Sequence, residues 1–312
     1  MSSNPAITIV MPTFNTARFV QQAVQTVVDQ SFTCWQLLVM DAGSTDGTVE
    51  IVRRFNHPNI QIICEPDEGA ADAIWTGFER THSKYFMHLC ASDGYIDRDW
   101  LKICNDTMDA DPEVSLVWGV PAACTEDGMI GGPHPAFSQF LKHKTIPGRL
   151  ANALSWKQRL ALPRIIRRRL RPRLGSGDIQ KTDWLPYWLD TGLVFPDLNM
   201  CCRRTVYRVC MPPYRKGSDV LDNFYNFYMN FNQQGYLPLC IPRIANFGRT
   251  HAGQIGERRN AEIEKNFAKY RHDVWCYYQK LRKAQASHLF RDGSGTVISQ
   301  WPVKSAGIPT AS

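Results

Sequence analysis

No run of apolar residues in this sequence approaches the length of about 18 that reads as a membrane span. The opening MSSNPAITIV has no basic stretch ahead of a long apolar one, so no secretory signal is indicated. None of the ten cysteines stands at CxxC spacing. That argues against a redox pair or a clustered structural zinc site and favours reduced, buried thiols. The segment after the first apolar run is PTFNTARF, without the G-x-G-x-x-G of a dinucleotide site, which disfavours an oxidoreductase. No internal repeat is present, and no nucleic-acid-binding motif accompanies the basic residues.

What is present is an ordinary globular composition of 312 residues, 44% hydrophobic and 21% charged. The net charge of +7 has a local source, the segment RIIRRRLRPR. It places Arg164, Arg167, Arg168, Arg169, Arg171 and Arg173 within ten positions. Interleaved with Ile165, Ile166 and Leu170, they suit an anionic membrane surface or another polyanion; the bland alternative is a solvated segment without a partner.

The first 120 residues alternate short apolar runs with helical spacing. AITIVMP, WQLLVMD, IQIIC, KYFMHL and VSLVWGV read as strands. Between them lie helical patterns over about 16–30, 46–55, 69–81 and 97–110. Such alternation predicts an α/β fold with a mostly parallel central sheet flanked by helices. Ligands in such sheets sit beyond the carboxyl ends of the strands. Thr13, Asn15, Asp41, Glu65, Asp67 and Asp93 all fall there. Further on, GLVFPDLNMCCRR reads as a strand, 204–209 as a short helix and 218–233 as a helix. YLPLCIP and RIANFGRT read as extended, 257–283 as a long helix and the tail from about 290 as loose.

The chemistry collects in three loops. In MDAGSTDGT, Asp41 stands where it can accept hydrogen bonds from a base or ribose, and Gly43 and Gly47 allow close backbone approach. A plain strand–helix turn would use the same residue types. CEPDEGAADA crowds Glu65, Asp67, Glu68 and Asp72 at the next strand end. HLCASDGYI places Asp93 after the fourth strand. One or two protein carboxylates, Asp93 first among them, suffice for a hard divalent ion, Mg²⁺ or Mn²⁺, where a diphosphate supplies the remaining oxygens.

VMPTFNTARFVQQAVQTVVDQ, VMDAGSTDGTVEIV and EPDEGAADAIWTGF, in this order, resemble the family-2 glycosyltransferases of the GT-A fold, in particular members that build bacterial surface polysaccharides of the O-antigen or capsule type. The resemblance covers about residues 6–120. It implies sugar transfer from a nucleoside-diphosphate sugar, UDP-linked by preference, to a saccharide or lipid-linked saccharide, with inversion. Thr13, Asn15 and Asp41 would contact the nucleoside, and Asp67 and Asp72 the donor pocket. Ser92 and Asp93 would form the remainder of the D-x-D metal motif, whose first acid is Ala91 here. The catalytic base would be Asp222, with Asp219 as the alternative, in SDVLDNFYNFYMN. Either aspartate could instead cap the helix. FGRTHAGQIG resembles the segment that closes over the donor, bringing Arg249 and His251 to the diphosphate.

The expected organisation is a donor-binding half (1–120), an insertion or lid with the basic segment (121–190), an acceptor and base half of the same domain (191–255) and a C-terminal helix and tail (256–312). The expected location is cytoplasmic, with peripheral contact at the inner face of the cell membrane. The rival readings are a non-catalytic nucleotide-sugar binder and a polyanion-binding protein acting through Arg164–Arg173.

Overall fold

The computed structural model describes residues 4–135, 137–141, 184–192, 194–217, 220–252, 260–283 and 287–301. The arginine segment 164–173 and Asp219 lie outside them. Strands β1 (Ile7–Thr13), β2 (Trp35–Asp41), β3 (Ile60–Cys64) and β4 (Tyr85–His88) alternate with helices α1 (Ala17–Val28), α2 (Thr48–Arg53) and α3 (Ala70–Glu79). A two-residue β5 (Gly94–Tyr95), helix α4 (Trp100–Ala110), the long β6 (Val114–Cys124) and β7 (Ile130–Pro133) follow. After α5 (Trp184–Thr191) come β8 (Cys201–Arg203), α6 (Arg204–Cys210), α7 (Val220–Gln234) and β9 (Leu237–Arg249). Helix α8 (Asn260–Arg282) leads to a hairpin of β10 (His288–Arg291) and β11 (Val297–Trp301).

Nine strands form one sheet in the order β3-β2-β1-β4-β8-β6-β9-β5, with β7 on β6. β1 to β4 pair in parallel, whereas β8 runs antiparallel to both β4 and β6. Both faces of the sheet are covered, so its strands read as apolar runs rather than as alternation with polar residues. Ile7, Ile9 and Met11 of β1 pack with Val20, Val24 and Val27 of α1 and Trp100 of α4. Val10 of the same strand faces the opposite core with Ile74 and Phe78 of α3. That second core also takes in Trp118, Trp184, Trp188, Phe227 and Phe231.

Two sequence readings are corrected. Of GLVFPDLNMCCRR, read as one strand, only Cys201–Arg203 is extended among the described residues, and a short 3-10 turn occupies Asp197–Asn199. The chain is not loose from 290, because the hairpin carries it to Trp301. All ten cysteines are free, and Cys104, Cys124, Cys201, Cys202, Cys210 and Cys240 are buried.

Helix α3 lies so close on β1 that a Cβ at Gly77 would meet the Val10 methyls at 2.7 and 2.8 Å. Helix propensity favours alanine over glycine by about 1 kcal/mol. Overpacking of a tight core costs about 1–3 kcal/mol, and the larger residues cost most. Gly77→Ala is therefore expected to leave stability unchanged or lower, never higher, and Gly77→Val to unfold at clearly lower denaturant; a urea titration of both decides. A gain of a full kcal/mol in the alanine variant would contradict this packing.

Candidate active site

The parallel strands end side by side. Thr13 pairs with Asp41, and Asp41 with Cys64, so the acidic loops share one edge of the sheet. Asp41 is 1% exposed. Its carboxylate accepts from the Thr13 hydroxyl (2.8 Å), the Ser44 hydroxyl (2.6 Å) and the backbone N–H groups of Gly43 (3.0 Å) and Ser44 (2.8 Å). Burial opposes the charge, but the bonds from Ser44, Thr13 and Gly43 outweigh it and lower the pKa. Gly43 sits at φ +96° with open space around it, so backbone geometry and not crowding requires glycine there.

The β1–α1 loop is stitched to the β2–α2 loop. Asn15, left-handed at φ +52°, donates its N–H to Ser44 Oγ (2.8 Å) and accepts from the Thr45 N–H (2.9 Å). Asp46 accepts from the Ala17 N–H at the start of α1 (2.9 Å), and Thr48 Oγ1 accepts from the Thr16 N–H (2.8 Å). Between these bonds Phe14 stands 61% exposed, an aromatic ring that sequence reasoning did not single out.

At the end of β3, Asp67 accepts from the Gly69 N–H (2.8 Å) and Asp72 from the Glu68 N–H (3.1 Å). Burial pushes the Asp67 carboxyl up. The Gly69 bond opposes that rise, and repulsion from Asp72 and Asp41 adds to it. Asp67 thus feels the charge of both neighbouring carboxylates. Glu65 and Glu68 are occupied otherwise, with Arg80 and with Tyr214 and Lys216.

Beyond β4 lies Asp93, 3% exposed, whose Oδ1 accepts from the Arg249 N–H at 2.8 Å. Burial raises its pKa to about 7. The Arg249 N–H and charge and the Ser92 hydroxyl pull the other way, and the Asp197 carboxylate raises it further. Asp197 itself was missed in the sequence, because nothing in local spacing marks it. It meets the buried His88 across 3.6 Å (Nε2 to Oδ2). His88 in turn stacks on Phe224 of α7, centroids 4.7 Å apart.

Arg249 is 3% exposed, and its guanidinium faces inward. It donates to the carbonyls of Ser92 (2.9 Å), Thr125 (3.1 Å) and Glu126 (3.0 Å) and to the Gln22 side chain. It also lies over the rings of Phe19 and Phe247. The fork that was expected to meet a diphosphate is here taken up by the protein. His251 is half-buried with its ring against Phe19 at 4.7 Å. Asp222 is exposed in the first turn of α7. Tyr225, one turn on, has its pKa raised by burial first and then by the charges of Asp197 and Asp222. Among the described residues no three His, Cys, Asp or Glu side chains gather to hold a metal ion, and no helix is long and apolar enough to cross a membrane.

A mixed sheet, whose parallel strands β1 to β4 end in crowded acidic loops and which β8, β6, β7, β9 and β5 extend with half of all its pairings antiparallel, is the architecture of a GT-A glycosyltransferase domain. Residues 8–160 match the glycosyl transferase family 2 model, and the chain carries a domain of that family. Over 140 residues it is 26% identical to a chondroitin synthase of Pasteurella multocida, a match covering 43% of this chain and 14% of that one. It is 29% identical over 92 residues to the putative teichuronic acid biosynthesis glycosyltransferase TuaG of Bacillus subtilis, covering 28% of this chain and 36% of that one. The match thus spans well under half the length of these curated relatives. In fold the chain is similar to S. aureus TarS, solved in complex with UDP-GlcNAc (TM-score 0.54, 12% identity, 88% of this chain and 71% of that one). It is similar also to a mannosyltransferase of Pyrobaculum calidifontis, solved with GDP-Man and Mn²⁺ (TM-score 0.51, 18% identity, 86% and 64%).

Proposed function

We propose that this protein transfers a sugar from a nucleoside-diphosphate sugar, UDP-linked by preference, to a saccharide or lipid-linked saccharide acceptor in surface-polysaccharide assembly, with inversion. The observation that carries the reading is that Asp41, Asp67, Asp72 and Asp93 all lie at or beyond strand ends on the one carboxyl edge of β1–β4, within the residues that match the family-2 model. The stitched loops around Asn15 and Asp41 form the floor for the nucleoside, and the exposed Phe14 ring offers a stacking face for its base.

A divalent cation fits this site on one observation. Asp93 is a buried carboxylate whose Oδ1 is taken by a backbone N–H, and burial together with Asp197 works against its charge. A neighbouring cation relieves that penalty. Asp93 would hold the ion jointly with the diphosphate, since two or more further protein ligands are not gathered among the described residues. When bound, the ion neutralises the charge that develops on the departing nucleoside diphosphate.

The chain's own residues do the rest. Asp222, exposed on α7, takes the proton of the acceptor hydroxyl as its oxygen attacks the anomeric carbon from the face opposite the leaving group. Asp222→Asn is expected to lower transfer by about 10²–10⁴-fold while nucleotide binding stays unchanged. If the loss appears in Asp219→Asn instead, the base is the alternative aspartate, and if in neither, the base does not lie on α7. The first test of the whole reading is calorimetric titration of the protein with UDP, GDP and dTDP, with and without Mn²⁺. Metal-dependent binding of one nucleotide is expected; binding of none to the folded protein would sink it.

A further inference from the structure

Taking the donor reading above as given, we propose that Asp197 binds hydroxyl groups of the sugar being transferred, and that His88 is the residue that positions it. Asp197 is firmly held by the chain around it. It opens the turn Asp197–Asn199, and Asn199 is fully buried. The Asn199 side chain accepts from the Gly119 N–H (3.1 Å) and donates to the Gly119 carbonyl (3.0 Å) and to Asn246 Oδ1 (2.7 Å). Its own carbonyl accepts from the Trp100 indole N–H (3.2 Å). The turn is therefore bolted to β6, β9 and α4 two residues from the carboxylate. A group fixed in this way loses little freedom when a ligand arrives.

The surroundings of Asp197 leave it open to a ligand. Two acids of the neighbouring loop have cationic partners: Glu65 has Arg80 and Glu68 has Lys216. Among the described residues neither lysine nor arginine pairs with Asp197, whose one charged-type contact is His88. At 3.6 Å that contact is longer than a direct hydrogen bond, and the side chain remains 39% exposed. His88 is 1% exposed, and its ring is fixed by the Phe224 stack. Its Nδ1 is buried without a hydrogen-bond partner among the described residues. A polar ring accepted at that cost behind a solvent-facing carboxylate marks a place built for binding, because a buried polar atom left unpaired is otherwise selected against.

Position then selects the ligand. β8 runs antiparallel to β4, Tyr85 opposite Arg203 and Phe86 opposite Cys202, so the chain just before β8 lies along the carboxyl end of β4 and reaches the surroundings of Asp93. A nucleoside-diphosphate sugar held at Asp93 would carry its sugar on the outer phosphate, through the glycosidic oxygen. A sugar ring there would lie toward α7, whose Phe224 stacks on the His88 that meets Asp197. A carboxylate accepts two hydrogen bonds from a pair of sugar hydroxyls, and such charge-assisted bonds discriminate strongly against a sugar that lacks one of them.

The test compares sugar nucleotides with bare nucleotides by calorimetry in Mn²⁺: UDP against UDP-glucose, UDP-galactose, UDP-N-acetylglucosamine and UDP-glucuronate, and GDP against GDP-mannose. The wild type is expected to bind one sugar nucleotide more tightly than its nucleotide. Asp197→Asn and Asp197→Ala should lose that gain, roughly tenfold to 100-fold, with the nucleotide Kd unchanged. His88→Gln, which keeps a side-chain N–H, should retain part of the gain, and His88→Phe, which keeps only the stack, should lose it. The proposal is overturned if the gain survives in both Asp197 variants, if no sugar adds affinity in the wild type, or if the bare nucleotide is lost as well, since Asp197 would then serve the metal and diphosphate. A wild type that binds no nucleotide would instead refute the transferase reading on which the assignment rests.

Discussion

Asp93→Asn should weaken metal-dependent nucleotide binding by about 100-fold, the loss expected from removing a charge-assisted contact worth roughly 3 kcal/mol, while making the empty protein more stable at pH 8. Asparagine keeps the shape and an oxygen for the Arg249 N–H, which Asp93 now accepts at 2.8 Å. What it removes is a charge that the fold disfavours. The carboxyl has an ordinary value of 3.8 and is raised to about 7, by burial first and by Asp197 in addition. Between those two values the unfolded chain releases a proton that the folded chain keeps. The stability contributed by this group therefore falls as pH rises from about 4 to about 7, by roughly 1.4 kcal/mol for each unit between the two pKa values, and is level above. Wild type and variant should unfold alike at pH 4 and diverge in the variant's favour by pH 8. Adding Mn²⁺ with the nucleotide should reverse the order, because only the wild type gains from the ligand. Thermal unfolding at the two pH values, with and without ligand, reads all four arms. An asparagine variant less stable at pH 8 would mean that the ionised carboxylate holds the loop together and is not held for a cation.

Why β1 to β4 were legible and Asp197 was not follows from the range of the interactions. Each early strand and helix announces itself within a dozen residues, since WQLLVMD is apolar on both faces and VQQAVQTVV repeats at helical spacing. Asp41, Asp67 and Asp93 follow because the strand-end rule is itself local. Asp197 meets His88 only because an antiparallel β8 returns to β4 more than a hundred residues later, and no spacing records that. GLVFPDLNM has strand propensity, but its Asn199 is claimed by Gly119 and Asn246, and tertiary bonds override the local preference. The C-terminal hairpin was legible and overlooked. RDGSGT between HLF and VIS is a turn signal, and Asp292 accepts from the N–H groups of Ser294 and Thr296 there. The resemblance brought Arg249 to the diphosphate, whereas burial at the meeting of β9, α1 and the Thr125 turn points its guanidinium inward, which no local spacing records.

That inward orientation gives the second large effect. Arg249→Ala is expected to destabilise the fold by about 3–5 kcal/mol, the usual cost of removing one partner from a buried charged network. The carbonyls of Ser92, Thr125 and Glu126 and the Gln22 amide oxygen would lose their donor together, and Phe19 and Phe247 would lose the cation above them. Arg249→Lys should rescue little, because an ammonium on a flexible stem cannot reach acceptors spread around a planar fork. Both variants should therefore fall in thermal stability, and nucleotide binding should weaken only as far as Asp93 loses its backing. The opposite assignment makes the opposite forecast. An arginine whose work is to meet a diphosphate could be shortened to lysine with stability intact and nucleotide affinity lost. Unfolding and nucleotide titration of the same two variants separate the cases, and the four acceptors already occupied by the guanidinium favour the structural one.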